Sequence, residues 1–242
     1  MGVVMIPVTA SVSLDQFLRW EGFSDEYFWI EVRRHRAKSS RVLGIRLKGL
    51  PTMLQFWIVR AGITEIEKEG RILGTLDVPL HPDAAQQIDH VTRESSGHAL
   101  SAVYSSPGQS SIETAESLCR AWGLKYKASD LLRNLDLGLW QGLLLEEVKR
   151  KQPKVFRQWQ EHPETVCPPE GEMLLAARDR IDTFLSKIYK KYKSGVIVVV
   201  AADPCAAILA SVLQQTPVHD VLPRDSGQKE HIQIISPALT NA

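Results

Sequence analysis

Few residues in this chain are placed to do chemistry. Its seven histidines, His35, His81, His90, His98, His162, His219 and His231, are scattered singly, and an imidazole acts as base or nucleophile only where a partner meets it. His162 and His219 stand in proline-flanked stretches that could approach a cleft, whereas His81 reads as a capping or surface residue. His98 precedes an apolar run on its N-terminal side. Cys119, Cys167 and Cys205 lie far apart, without the paired spacing of a zinc or redox site, and an odd number of thiols completes no disulfide framework. Cys205 follows Pro204 at the head of an apolar helix. A helix start lowers thiol pKa values, but the apolar setting favours a buried, inert thiol. No metal and no cofactor is expected. The polar groups with the best positions instead follow three apolar runs: Arg60-Ala61-Gly62, then Ser105-Ser106-Pro107-Gly108-Gln109-Ser110, then Ala201-Ala202-Asp203-Pro204.

Those runs are the elements that must present these groups. Residues 54–59 form a near-continuous apolar stretch, residues 100–104 a second, and residues 195–201 (GVIVVVA) the clearest. Short, β-branched and without alternation, they read as strands buried on both faces. Helical patterns cover residues 83–94, 111–121, 144–151, 173–192 and 205–214. In the fourth of these, Leu174, Ala177, Ile181, Phe184, Leu185 and Ile188 recur at spacings of three and four and make one apolar stripe. Residues 231–235 could add an edge strand. Alternating strands and helices predict an α/β fold of three layers, a mostly parallel central sheet with helices on both faces. In such sheets ligands bind beyond the carboxyl ends of the strands, which is where the three polar segments fall.

Composition sets the outer bounds. The chain has 242 residues, 44% hydrophobic and 24% charged, with a formal net charge of +1. It has the make-up of a globular protein that does not act through bulk charge. No nucleic-acid or membrane partner is expected, and the cytoplasm is the default location. Residues 1–52 differ from the remainder: they carry net +3 against net −2 for residues 53–242. Arg33, Arg34, Arg36, Lys38, Arg41, Arg46 and Lys48 supply most of that excess. The expected organisation is a basic extension over 1–52, in part disordered, followed by one domain over 53–242.

Over residues 53–238 the chain resembles the histidine phosphatase superfamily, in its phosphoglycerate mutase-like branch. The opening V-R-H-G-E-T of the family is matched by Val59-Arg60-Ala61-Gly62-Ile63-Thr64, and the G-R-x-x-G-x-x-D-x-P-L segment by residues 70–80. Val103-Tyr104-Ser105-Ser106-Pro107 begins the next match, which ends at Glu116. Leu132 to Gly142 follows the L-x-E-x-x-x-G-x-W-x-G segment, Pro168-Pro169-Glu170-Gly171-Glu172 keeps P-P-x-G-E, and residues 200–210 align with S-H-A-G-P-I-R-A-I-L-A. The resemblance implies a phosphoglycerate mutase-like fold and a chemistry in which one imidazole carries the phosphoryl group. Two arginines and a second histidine hold its oxygens, and a carboxylic acid protonates the leaving alkoxide.

Carried over position by position, the nucleophile falls on Ala61, the second arginine on Ser110, the acid on Asn134 and the second histidine on Ala201. Of the central groups Arg60 remains, and Asp203 replaces a glycine. Arg60 and Asp203 are therefore expected to form a degenerate phosphate pocket closed by an ion pair. A second reading, compatible with the first, makes Asp203 the N-cap of a helix that begins at Pro204. Tyr104, Trp140 and Trp57 read as packing residues, and Lys149, Arg150, Lys151, Lys154 and Arg157 as the solvated side of two short helices. The expectation that follows is a pseudophosphatase, not an enzyme, kept for binding or assembly, with its ligand unidentified and a protein partner or a second copy left open. The alternatives are a weak or altered phosphatase acting on a small phosphorylated compound, and a scaffold whose basic N-terminal segment contacts an acidic partner.

Overall fold

A computed structural model of the chain describes residues 4–6, 29–36, 41–48, 53–218 and 231–236. The chain divides into two compact units, Met1–Thr52 and Met53–Ala242. Within the first, strands β1 (Val4–Ile6), β2 (Trp29–Arg36) and β3 (Arg41–Lys48) pair antiparallel in the order β1-β3-β2, with Arg36 opposite Arg41. The side chains of the basic segment and of His35, and the whole of His219, lie outside the described residues.

The second unit is built on a five-stranded sheet. Strands β4 (Leu54–Arg60), β5 (Leu100–Ser105), β6 (Tyr126–Ala128), β7 (Gly195–Ala201) and β8 (Ile232–Ile235) lie in the order β6-β5-β7-β4-β8. All neighbours are parallel except β8, which runs antiparallel to β4. Alternation along β7 feeds two separate cores. Ile197, Val199 and Ala201 join the one that holds Phe156, Trp159, Ile181 and Phe184, while Val198 and Val200 join the one that holds Val91, Ala115 and Leu118. A strand apolar on both faces is what three-layer packing demands, and every one of residues 197–200 is fully buried.

Helices α1 (Glu65–Lys68), α2 (Ala84–Glu94), α3 (Gln109–Trp122), α4 (Leu145–Lys151), α5 (Pro153–Glu161), α6 (Leu174–Lys191) and α7 (Cys205–Gln214) complete the unit. The six stripe residues of α6 are all buried, as their spacing predicts. Two elements have no apolar signal and were not expected: the edge strand β6, with the sequence YKA, and the single turn α1. The first is held by pairing to β5, and the second by a capping box in which Thr64 and Glu67 bond reciprocally. Helix α3 begins at Gln109, two residues before its apolar pattern, because the Asp77 carboxylate accepts from the Gln109 amide at 2.7 Å and so satisfies an end the helix cannot satisfy itself.

Candidate active site

The carboxyl ends of β4, β5 and β7 are stitched together. The Ala61 amide donates to the Ala201 carbonyl at 2.9 Å, and the Ser106 amide to the Val200 carbonyl at 2.9 Å. Register places Arg60 beside Ala201, so two residues further on Asp203 comes within reach of the guanidinium. Arg60 Nη1 donates to Asp203 Oδ1 in an ion pair, with side chains 23% and 14% exposed. The expected pairing is present. Helix α7 starts at Cys205 with Pro204 as its cap residue, and no side chain of that cap bonds to it. The Asp203 carboxylate is turned toward Arg60, and the orphan amide of Cys205 donates to Asn134 Oδ1 at 3.0 Å instead.

Asn134 is therefore a structural hub at the position the resemblance assigns to an acid. Its Nδ2 donates to the carbonyls of Gly74, at 2.7 Å, and Asp203, at 2.8 Å, while Oδ1 accepts from the amides of Leu135 and Cys205, each at 3.0 Å. Both donors and both acceptor positions of the amide are used. A second shell fixes the segment that carries it. Arg180 on α6 donates in fork geometry to Glu172, Nε at 3.0 Å and Nη2 at 2.8 Å, and its Nη1 donates to the carbonyls of Leu131 and Arg133 at 3.2 and 2.9 Å. Both side chains of this pair are nearly buried, at 10% and 12% exposure. Neither the clamp nor the fork was expected. Glu172 stands in the matched P-P-x-G-E segment and Arg180 two turns of helix later, but nothing in their spacing says which carbonyls the guanidinium meets.

The remaining assigned positions offer little to a reacting group. Ala61 and Ala201 present methyls, and Ser110 is 5% exposed at the head of α3, where its carbonyl accepts from Thr114 Oγ1. Thr114 Oγ1 in turn accepts from the Gly62 amide at 2.9 Å. Gly62 has no room for a side chain: a Cβ there would sit 2.7 Å from the Cβ of Ala84. Among the described residues, the strand ends set the Arg60 guanidinium beside the Asp203 carboxylate, two opposite charges in contact.

Candidates elsewhere resolve into packing or surface roles. The Cys205 thiol is buried and donates to the Leu132 carbonyl, and burial pushes its pKa up to about 12, so the reactive-thiol reading falls. His81 accepts from the Asp83 amide through Nδ1 at 3.1 Å, in the turn just ahead of α2. His98 stacks edge-on against Trp57, and His162 is two-thirds exposed beyond the end of α5. Tyr104 packs edge-on against Phe184, and Trp140 against Trp159. The unexpected histidine is His231. Its carbonyl accepts from the Arg60 amide at 3.0 Å and its ring meets that of His90. Burial, His90 and Arg60 hold its pKa below the ordinary imidazole value, against a smaller opposite pull from Glu94.

A mostly parallel five-stranded sheet with helices on both faces is the architecture that places Arg60 at the carboxyl end of β4. Residues 56–230 match the model of the histidine phosphatase superfamily (branch 1), and the chain belongs to that family. Among characterised relatives, Phosphoserine phosphatase 1 of Hydrogenobacter thermophilus is 33% identical over 162 residues, covering 66% of this chain and 77% of that protein. Phosphoglycerate mutase-like protein 4 of Arabidopsis thaliana is 35% identical over 146 residues, covering 59% of this chain and 64% of its own length, a little under two thirds. Of solved structures, Bacillus stearothermophilus YhfR shares the fold with a TM-score of 0.65 at 21% identity over 75% of this chain and 90% of that one. The mycobacterial glucosyl-3-phosphoglycerate phosphatase does so with a TM-score of 0.62 at 23% identity over 69% and 82%.

One of these relatives corrects an expectation. Loss of enzymatic activity was expected from Ala61, Ser110, Asn134 and Ala201, yet the relative from Hydrogenobacter thermophilus, 33% identical over 162 residues, is named a phosphatase, and that points to activity. The physical reason is that a methyl at position 61 closes one covalent route through that residue. It leaves the scaffold, Arg60 and attack by other nucleophiles untouched.

Proposed function

We propose that the chain acts on a small phosphorylated compound, as a phosphatase of altered chemistry that does not pass through a phosphohistidine at position 61. Arg60 holds the phosphoryl group at the carboxyl end of β4. Water attacks phosphorus: its oxygen forms the new P–O bond, the ester P–O bond breaks, the proton that the water gives up passes to the released alkoxide, and inorganic phosphate is left. The protein supplies position and charge rather than a covalent carrier. Asn134 cannot protonate the leaving group, because a carboxamide gives up no proton near neutrality, so good leaving groups are favoured. The Hydrogenobacter thermophilus relative, named a phosphatase, supports the reaction class. The observation that carries the reading is the partly exposed Arg60 guanidinium, kept where the sheet presents its ligand site.

Hydrolysis of p-nitrophenyl phosphate by the full chain tests it. Slow turnover is expected, abolished in Arg60→Ala and accompanied by no acid-labile phosphoprotein. Equal turnover in wild type and Arg60→Ala, or none above the buffer rate, would overturn it.

A further inference from the structure

Exposed apolar side chains gather on the loops around the Arg60–Asp203 pair. Leu76, Leu139, Met173 and Leu175 are four of the seven large hydrophobic side chains that stand exposed among the described residues. Scattered singly such side chains are ordinary, but a cluster of them beside a polar site is a ligand surface. These lie on three segments that bonding holds together. Nδ2 of Asn134 meets the carbonyls of Gly74 and Asp203 at once, at 2.7 and 2.8 Å, so the chain at Gly74 starts beside the Arg60–Asp203 pair. Three residues on, the Asp77 carboxylate accepts from the Gln109 amide at 2.7 Å, at the head of α3. Residues 74–77 thus form a strap from the turn after β7 to the turn after β5, and Leu76 sits on it, 36% exposed.

The other two segments abut this strap. Gln141 Oε1 accepts from the amide and the hydroxyl of Thr75, and the Gly142 amide donates to the Ile72 carbonyl at 2.8 Å. Cδ1 of Leu76 lies 3.8 Å from where a Cβ on Gly142 would stand, so the side chain is turned toward the loop that carries Leu139, 57% exposed. The Leu139 amide donates to the Pro169 carbonyl at 3.0 Å and the Glu172 amide to the Asp136 carbonyl at 2.8 Å, which brings up the segment that ends in Met173. An ester of a polar alcohol leaves this apolar rim in water, whereas an ester of an apolar alcohol covers it. From this we infer that the site selects phosphate monoesters of apolar alcohols over esters of polar alcohols of the same length. Leu76 and Leu139 determine the preference. The inference rests on the proposal that Arg60 receives the phosphoryl group.

The test compares n-hexyl phosphate with diethylene glycol monophosphate, which match in length and charge and differ in the polarity of the chain, by calorimetric titration of the full protein. Wild type is expected to bind the hexyl ester at least tenfold more tightly. In the double variant Leu76→Asn/Leu139→Asn the two ligands are expected to bind within about threefold of each other. Ile234→Asn, a change at an exposed apolar side chain on β8, is expected to keep the wild-type ratio. Equal affinities in wild type, a preference that survives the double change, the same loss in Ile234→Asn, or binding of neither ligand would overturn the inference. So would a double variant that alters only the oligomeric mass by light scattering, because the leucines would then face a second copy. If the double variant fails to fold, the wild-type ratio and the single change Leu76→Asn decide. Hydrolysis without a preference for the apolar ester removes this inference and leaves the proposed reaction standing. The preference without hydrolysis removes the reaction and leaves the selectivity.

Discussion

An amide at position 134 neither takes nor gives a proton near neutrality, but it offers two donors and two lone pairs in a fixed plane. The protein uses all of them to tie the Gly74 segment, the Leu135 amide and the turn from β7 into α7 to one point. Asn134→Ala leaves those buried backbone groups unsatisfied and is expected to cost about 3 kcal/mol in a urea denaturation series. Asn134→Glu, which restores an acid, should also destabilise, because a carboxylate cannot donate to the Gly74 and Asp203 carbonyls, and it should not raise the rate of hydrolysis. Of this site the Arg60–Asp203 pair was legible in advance, since residues that end adjacent parallel strands are brought together by register. The clamp was not, because its partners are backbone groups, and backbone carbonyls carry no sequence signal.

Loops rather than strands hold the site in place at the level of elements. Gly138 has φ +51°, and a Cβ there would lie 2.1 Å from the Pro169 carbonyl oxygen and 2.6 Å from the Gly171 amide nitrogen. The two segments touch backbone to backbone. Gly138→Ala strains the dihedral and forces the segments apart, so a loss of about 3 kcal/mol is expected in thermal or chemical unfolding. The Arg180–Glu172 fork ties α6 to the segment before Asn134. Removing one partner of a nearly buried pair strands the other, and Arg180→Met should cost about 4 kcal/mol. If a double variant with Glu172→Gln cost the sum of the two single changes, the pair would not be acting as a unit. Element identity was readable where apolar periodicity was strong, in β7 and α6 above all, and failed for α1 and β6, whose existence depends on a cap and on a neighbouring strand.

For the whole molecule, burial decides which groups meet solvent. Burial pushes Cys119 up to about 11 and Cys205 up to about 12, while Cys167 is exposed. A thiol reagent at pH 8 should therefore modify one of the three cysteines quickly, and the other two only after denaturation. The same shifts set an alkaline limit. The folded state keeps these protons when the unfolded chain loses them, so stability is full below the unfolded thiol value of 9.0 and falls as pH rises toward the folded values. His231 works in the opposite sense. Its folded pKa is lowered, so the unfolded chain binds the proton first, and stability present above the model-peptide value of 6.5 declines as pH falls below it. His231→Gln should flatten that acid limb in a pH series of unfolding midpoints.

The alternation of the apolar strands and longer helices of residues 53–242, the layering and the family were contained in the sequence. They rest on apolar periodicity and on ordered motifs, and both are properties of neighbours along the chain. Tertiary structure alone decided that Asn134 bonds four backbone groups across three segments. It also decided that Arg180 reaches the carbonyls before that residue. These outcomes depend on where a polar atom finds its partner in space. A buried donor or acceptor must be satisfied by whatever the packed chain brings near it, and which groups those are is settled only when the layers close.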